Sequence, residues 1–157
     1  QSFQTMKLES KLIGKNEEGQ LTLLPEELED MWMAYNIIQV GDSVSCVTVR
    51  KVASEGSTGS VSNERITMNL VVSVKSTDFD PALGVIRVAG TNVCENPWVK
   101  MGQFHTLELV IGRKFTVAKP EWDSVAIGMV EHACDPLNKA DIGAVVLQEG
   151  LAHVCLV

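Results

Sequence analysis

Four carboxylates crowd one short stretch of the chain: Glu26, Glu27, Glu29 and Asp30. Clustered acids can hold a divalent cation against a phosphodiester, which is the chemistry of a metal-dependent nuclease. A second group is cationic. Arg50 and Lys51 precede, and Arg65 follows, a small polar stretch containing Ser57, Thr58, Gly59 and Ser60. Glycine and hydroxyl residues make a slender segment whose N–H and O–H groups can meet phosphate oxygens. The flanking cations attract the same backbone, arginine as a bidentate fork. Lys100 lies close to Trp98 in another polar stretch, where an exposed indole could stack on a base. A third pattern, H-x-C, occurs twice, at His132 and Cys134 and at His153 and Cys155. Zinc sites use closer Cys/His pairs at stricter spacing, so these four are read as packing and surface residues.

Each group also has a plain structural explanation. Acids in the first turn of a helix answer the positive end of its dipole. No histidine or lysine base accompanies the four carboxylates in sequence. Taken by its residues alone, the polar stretch is a hairpin tip with solvated cations. Trp32 and Trp122 fall on apolar helical stripes and are expected in the core, and His105 reads as a packing or hydrogen-bonding residue.

The elements that must position these residues are mostly strands. Residues 7–13 and 20–24 flank the turn Asn16-Glu17-Glu18-Gly19 and predict a hairpin. Pro25-Glu26-Glu27 opens a helix whose apolar stripe is Leu28, Met31, Trp32 and Tyr35. Strands follow over 43–52, 66–74 and 85–89, with 54–63 (SEGSTGSVSN) as a long loop between the first two. Asp78-Phe79-Asp80-Pro81 reads as the joint before the third. Residues 106–110 and 114–117 predict a last hairpin around Ile111-Gly112-Arg113. Short strands at this spacing suggest a small closed barrel. A second helix begins at Pro120-Glu121, with Trp122, Val125, Ala126, Met129, Val130 and Ala133 on its apolar face. Beyond Asp135-Pro136, residues 141–157 read as a nearly all-apolar strand hairpin.

Composition bounds the function. The 157 residues are 45% hydrophobic, enough for a sizeable core and unlike a disordered chain. No apolar run reaches the roughly 20 residues of a membrane-spanning helix. Four scattered cysteines without a C-x-x-C pair are read as free, buried thiols in a reducing compartment. A net charge of −7 argues against a general polyanion binder, unless the cations gather on one face.

Several strings, taken in order, carry a more specific message: Glu29-Asp30-Met31-Trp32, Tyr35-Asn36, Val40-Gly41-Asp42-Ser43, Arg50-Lys51-Val52, Ser57-Thr58-Gly59-Ser60, Gly90-Thr91-Asn92, Val99-Lys100-Met101-Gly102, His105-Thr106, Trp122-Asp123-Ser124, Ala133-Cys134-Asp135-Pro136 and Gln148-Glu149-Gly150-Leu151-Ala152-His153. Their order and spacing resemble the Pelota family, relatives of class-1 translation termination factors, from Met6 to Val157. The resemblance implies a mainly β fold with two helices (α+β): an Sm-like small β-barrel over 6–133, then a truncated β-hairpin over 134–157 that opens a central domain. Residues 1–5 read as a remnant ahead of a natural start at Met6.

The resemblance further implies a cytoplasmic ribosome-rescue factor. It would enter a vacant or stalled A site with a translational GTPase partner of the release-factor-three type, supporting no-go and non-stop mRNA decay and ribosome dissociation. RNA and ribosome contacts then fall to Arg50, Lys51, Ser57, Thr58, Gly59, Ser60, Arg65 and Lys100, without a cofactor. The alternative is a divalent-metal-dependent endoribonuclease in the same pathway, using Glu26, Glu27, Glu29 and Asp30. Two departures from the family pattern touch the loop: Gly56 stands where a bulkier residue is expected, and Asn63-Glu64-Arg65-Ile66-Thr67-Met68-Asn69 is less basic. Finally, the apolar strands over 142–157 are expected to pack on the barrel or to pair with another copy.

Overall fold

A computed structural model describes residues 5–55, 61–139 and 142–156. The chain runs β1 (Lys7–Ile13), β2 (Gly19–Leu24), α1 (Leu28–Ile37), β3 (Ser43–Glu55), β4 (Val61–Asp80), β5 (Val85–Asn92), β6 (Phe104–Val110), β7 (Phe115–Lys119), α2 (Ser124–Cys134), a short 3-10 turn (Pro136–Lys139), β8 (Gly143–Gln148) and β9 (Leu151–Leu156). Strands β1 to β7 form one sheet in the order β1-β2-β7-β3-β4-β5-β6, and every pairing in it is antiparallel. The fold is therefore mainly β with two helices.

Alternation along the strands decides which face is filled. In β5 the buried side is Ile86, Val88, Gly90 and Asn92; in β7 it is Phe115, Val117 and Lys119. Ile86, Val88, Phe115 and Val117 meet Leu21 and Leu23 of β2, Val44 and Cys46 of β3, Leu70, Val72 and Val74 of β4, and Leu107 and Leu109 of β6 in a single core. A sheet whose strands share one core must curl on itself. β3 and β6, separated by two strands in the hydrogen-bonded order, accordingly approach each other. The edge strands β1 and β6 carry no ladder between them, so the sheet is not closed by hydrogen bonds among the described residues. Each fully buried Leu, Ile or Phe contributes on the order of 1.5–3 kcal/mol, which makes this shared core the main source of stability.

Close backbone packing fixes one glycine. β4 carries an irregularity between Val74 and Ser76, opposite Gly90 of β5. A Cβ at Gly90 would lie 1.8 Å from the Ser73 carbonyl oxygen, so only glycine lets the two strands approach here.

The helices cover the core with small and medium side chains. α1 buries Met31, Ala34 and Ile37, and α2 buries Ala126, Val130 and Ala133. Asp123 caps α2, its Oδ1 accepting from the Ala126 N–H at 2.7 Å. Trp122 anchors the approach to that helix: its backbone N–H donates to the Glu17 carbonyl (2.7 Å) and its indole N–H to the Gly19 carbonyl (2.9 Å).

Several sequence expectations change. The loop expected over 54–63 is narrower, because β3 runs to Glu55 and β4 resumes at Val61. β4 also runs through Asp78-Phe79-Asp80, read above as a joint. The final hairpin does not form: β6 pairs with β5, whereas β7 inserts between β2 and β3. The connecting turn is tied elsewhere, the Gly112 N–H donating to the Pro25 carbonyl at 2.8 Å.

Trp32 is not core but 51% exposed, stacked with Tyr35 at a ring-centroid distance of 5.8 Å and tilted against Phe79 at 5.9 Å. The helical stripe is narrower than the periodicity implied, and an indole at its margin keeps one face in water. Val125 likewise sits outside the buried face of α2, and Cys46 is the only one of the four free cysteines that is fully buried.

The β8–β9 hairpin does not pack on the barrel. Val145, Val146, Leu147, Leu151 and Val154 are all half or more exposed, which leaves both of its faces open.

Candidate nucleic-acid interface

The site rests on a difference in strand length. β3 and β4 stay paired from Ser43↔Ser73 to Glu55↔Val61. β7 accompanies β3 only over 43–46, and β5 accompanies β4 only from Val72 onward. Residues 47–55 and 61–69 therefore leave the sheet as a two-stranded ribbon, about 25–30 Å long at ~3.3 Å per residue. Such a ribbon is only two strands wide, and its outer backbone edges have no sheet neighbour among the described residues.

The ribbon carries three of the sequence-predicted cations on adjacent rungs. Lys51 is the Cα partner of Arg65, and Arg50 is one rung nearer the sheet, opposite Ile66. Arg65 is exposed and forms no ion pair with any described residue. Ser57, Thr58, Gly59 and Ser60 lie outside the described residues. The acidic net charge is thus compatible with a local cationic projection, because the cations share one hairpin.

Lys100 is exposed in the loop between β5 and β6, and Asn92 holds that loop. Asn92 is 1% exposed; its side-chain N–H groups donate to the carbonyls of Cys94 (2.9 Å), Val99 (3.2 Å) and Lys100 (3.4 Å). Its Cα partner is Val72, where the ribbon departs from the sheet, so the tether places the Lys100 loop beside the ribbon base. Trp98 is about half exposed in the same loop, as the sequence suggested.

Sequence reasoning missed Arg113. It sits in the β6–β7 turn and lines a groove of about 370 Å³ with Thr48, Val49, His105, Thr106 and Glu108. Its guanidinium also reaches the field of Cys46. Burial pushes that thiol up to about 11, and Arg113 partly opposes the rise. The adjacent cations Arg113-Lys114 after a turn glycine were the available signal, but nothing local showed that the turn folds back to β3.

The acids at α1 do structural work. Asp30 is 1% exposed, and its Oδ2 accepts from the Glu26 and Glu27 N–H groups at 2.8 and 3.1 Å, satisfying donors at the helix start. Glu26 pairs with Lys7. Glu27 and Glu29 are exposed. Among the described residues, no group of three or more His, Cys, Asp or Glu side chains is disposed to hold a metal ion. The backbone register thus puts Arg50, Lys51 and Arg65 on neighbouring rungs of one ribbon, whereas Asp30 and Glu26 are engaged at the start of α1.

A buried ion pair sets the base of β3. Lys119 donates to Asp42 Oδ2, which also accepts from the Gln39 N–H at 2.9 Å, and the ammonium lies 5.5 Å from the Trp122 ring centroid. It joins the entry to β3, the end of β7 and the approach to α2.

Comparison with known proteins agrees with this architecture. Residues 6–134 match the family model of the Pelota N-terminal domain. The human "Protein pelota homolog" is 55% identical over 152 residues, covering 97% of this chain and 40% of the relative. Saccharomyces cerevisiae Dom34, described as a translation termination-like factor involved in RNA quality control pathways and interacting with Hbs1, superposes with a TM-score of 0.70 at 29% identity, over 96% of this chain and 40% of that one. An archaeal Pelota, described as ribosome-bound together with ABCE1, gives 0.63 at 25% identity, over 91% of this chain and 43% of that one. The chain spans about two fifths of the length of these relatives. By the family match over most of its length and the shared fold, this chain belongs to the Pelota N-terminal domain family.

Proposed function

We propose that the chain is the ribosome-probing module of a rescue factor: it inserts its β3–β4 ribbon into a vacant or stalled A site and the mRNA channel. The observation that carries this reading is the ribbon itself, a narrow projection with Arg50, Lys51 and Arg65 on neighbouring rungs of an otherwise acidic domain. Clustered cations supply the sequence-independent phosphate attraction that net charge alone would deny. The ribosome-bound archaeal relative and the quality-control role of the yeast relative support the same direction.

Within the full-length protein, a translational GTPase would deliver the module in the cytoplasm. No-go and non-stop decay and subunit dissociation would follow from the stalled state it reports. The module acts by binding, without bond chemistry of its own; the use of Asp30 as a helix cap supports that assignment.

Co-sedimentation with purified ribosomes across a salt series tests the proposal, comparing the intact chain with one lacking residues 56–61. Loss of salt-sensitive association on deletion is expected, and association that survives unchanged refutes the reading. A parallel RNA-cleavage assay with Mg²⁺ should use Glu29→Gln and Glu27→Gln, the latter keeping a side-chain oxygen at the N-cap of α1, since Asp30→Ala would undo the cap and confuse unfolding with lost catalysis. Cutting by the intact chain that those exposed-acid variants abolish would favour the nuclease instead.

A further inference from the structure

The groove at the ribbon base lies where the rolled sheet comes nearest to closing. β6 is an edge strand, so one side of its backbone has no ladder partner. β3 loses its β7 neighbour after Cys46, so its edge is also open from Val47 outward. Between these edges the groove is lined by Thr48, Val49, His105, Thr106, Glu108 and Arg113. Arg113 forms no ion pair with any described residue, whereas Glu108 faces Arg87 at 3.7 Å. The cation of the groove is therefore available, while its acid shares Arg87 with Asp78 and Asp80.

We infer that this seam is a second contact for the RNA backbone, holding one phosphate on Arg113 and the neighbouring ribose against the threonine hydroxyls. The chemistry fits: a guanidinium takes two phosphate oxygens in one plane, and hydroxyls with open strand amides suit a sugar-phosphate rather than an apolar ligand. The groove is continuous with the ribbon through Thr48 and Val49, which belong to both. A strand tracking along the ribbon would pass over it. This deepens the ribosome-probing reading and rests on it, since it concerns where the same RNA continues once the ribbon is inserted.

Binding of labelled decauridine, followed by fluorescence anisotropy over a potassium chloride series, reads the contact directly. Losing one phosphate contact to a single strand lowers the log–log salt slope by about 0.7. Arg113→Ala should show that drop with roughly three- to tenfold weaker binding at low salt, Arg113→Lys should restore the slope without the full affinity, and Thr48→Val should weaken binding with the slope unchanged. A slope untouched in Arg113→Ala, while Arg50→Ala and Lys51→Ala lower it, overturns the seam site and leaves the ribbon reading standing. No change in any of these variants, with ribosome association also insensitive to the 56–61 deletion, overturns both. Thermal melts of each variant identify any loss that comes from misfolding, and for Arg113 the lysine variant decides the question if the alanine variant unfolds.

Discussion

Asp42 and Lys119 offer the sharpest physical test of how the ribbon is held. Their side chains are 6% and 3% exposed, and removing one partner strands the other charge out of water. For such pairs the expected loss is about 3–5 kcal/mol. Asp42→Leu leaves the ammonium and the Gln39 N–H without their acceptor; Lys119→Met leaves the carboxylate with only that N–H. In a domain of this size, 1 kcal/mol shifts the melting temperature by ~2–4 °C, so each single substitution should lower Tm by about 6–20 °C. The double variant replaces the pair with apolar packing against Trp122. It should recover most of that loss, keeping a residual cost of about 1–3 kcal/mol for the orphaned Gln39 N–H. Urea unfolding of the four proteins gives the cycle. Single losses below about 1 kcal/mol, or a double loss equal to the sum of the singles, would refute the view that a buried, coupled pair sets the base of β3.

Two other predictions concern the core. Gly90→Ala should lower the urea midpoint steeply or prevent folding, because its Cβ would overlap the Ser73 carbonyl; a stability within about 0.5 kcal/mol of the parent would disprove that close approach. Burial raises the Cys46 and Cys134 thiols from 9.0 to about 11, so the folded state keeps protons that the unfolded chain releases. Their contribution is complete below pH 9 and is lost as pH rises toward about 11, so the unfolding midpoint should fall over that window, and should do so less in Cys46→Ala. Alkylation at mildly alkaline pH should reach the exposed Cys155 well before Cys46.

Much of the local structure was legible because its causes are local. Apolar alternation marked the strands, Pro25 and the acids after it marked the approach to α1, and the apolar spacing up to Ala133 marked α2, although that helix begins at Ser124 and not at Pro120. The cations flanking the polar loop were likewise visible as Arg50, Lys51 and Arg65. The acid cluster misled for an equally local reason. Carboxylates suited to a metal are also suited to the start of a helix, and Asp30 takes the second role.

What the sequence alone determined about this protein is its element types, most of its buried face and its family resemblance, all of which depend on side-chain order along the chain. Tertiary structure decided the rest. Strand partners are chosen by the shared core, so β7 left β6 and inserted between β2 and β3. The exposure of Trp32 depends on how far the sheet extends beneath α1. The ribbon exists because β5 and β7 end where β3 and β4 continue, and Arg113 reaches its base because the sheet curls. Those are distances between residues far apart in sequence, and no local pattern encodes them.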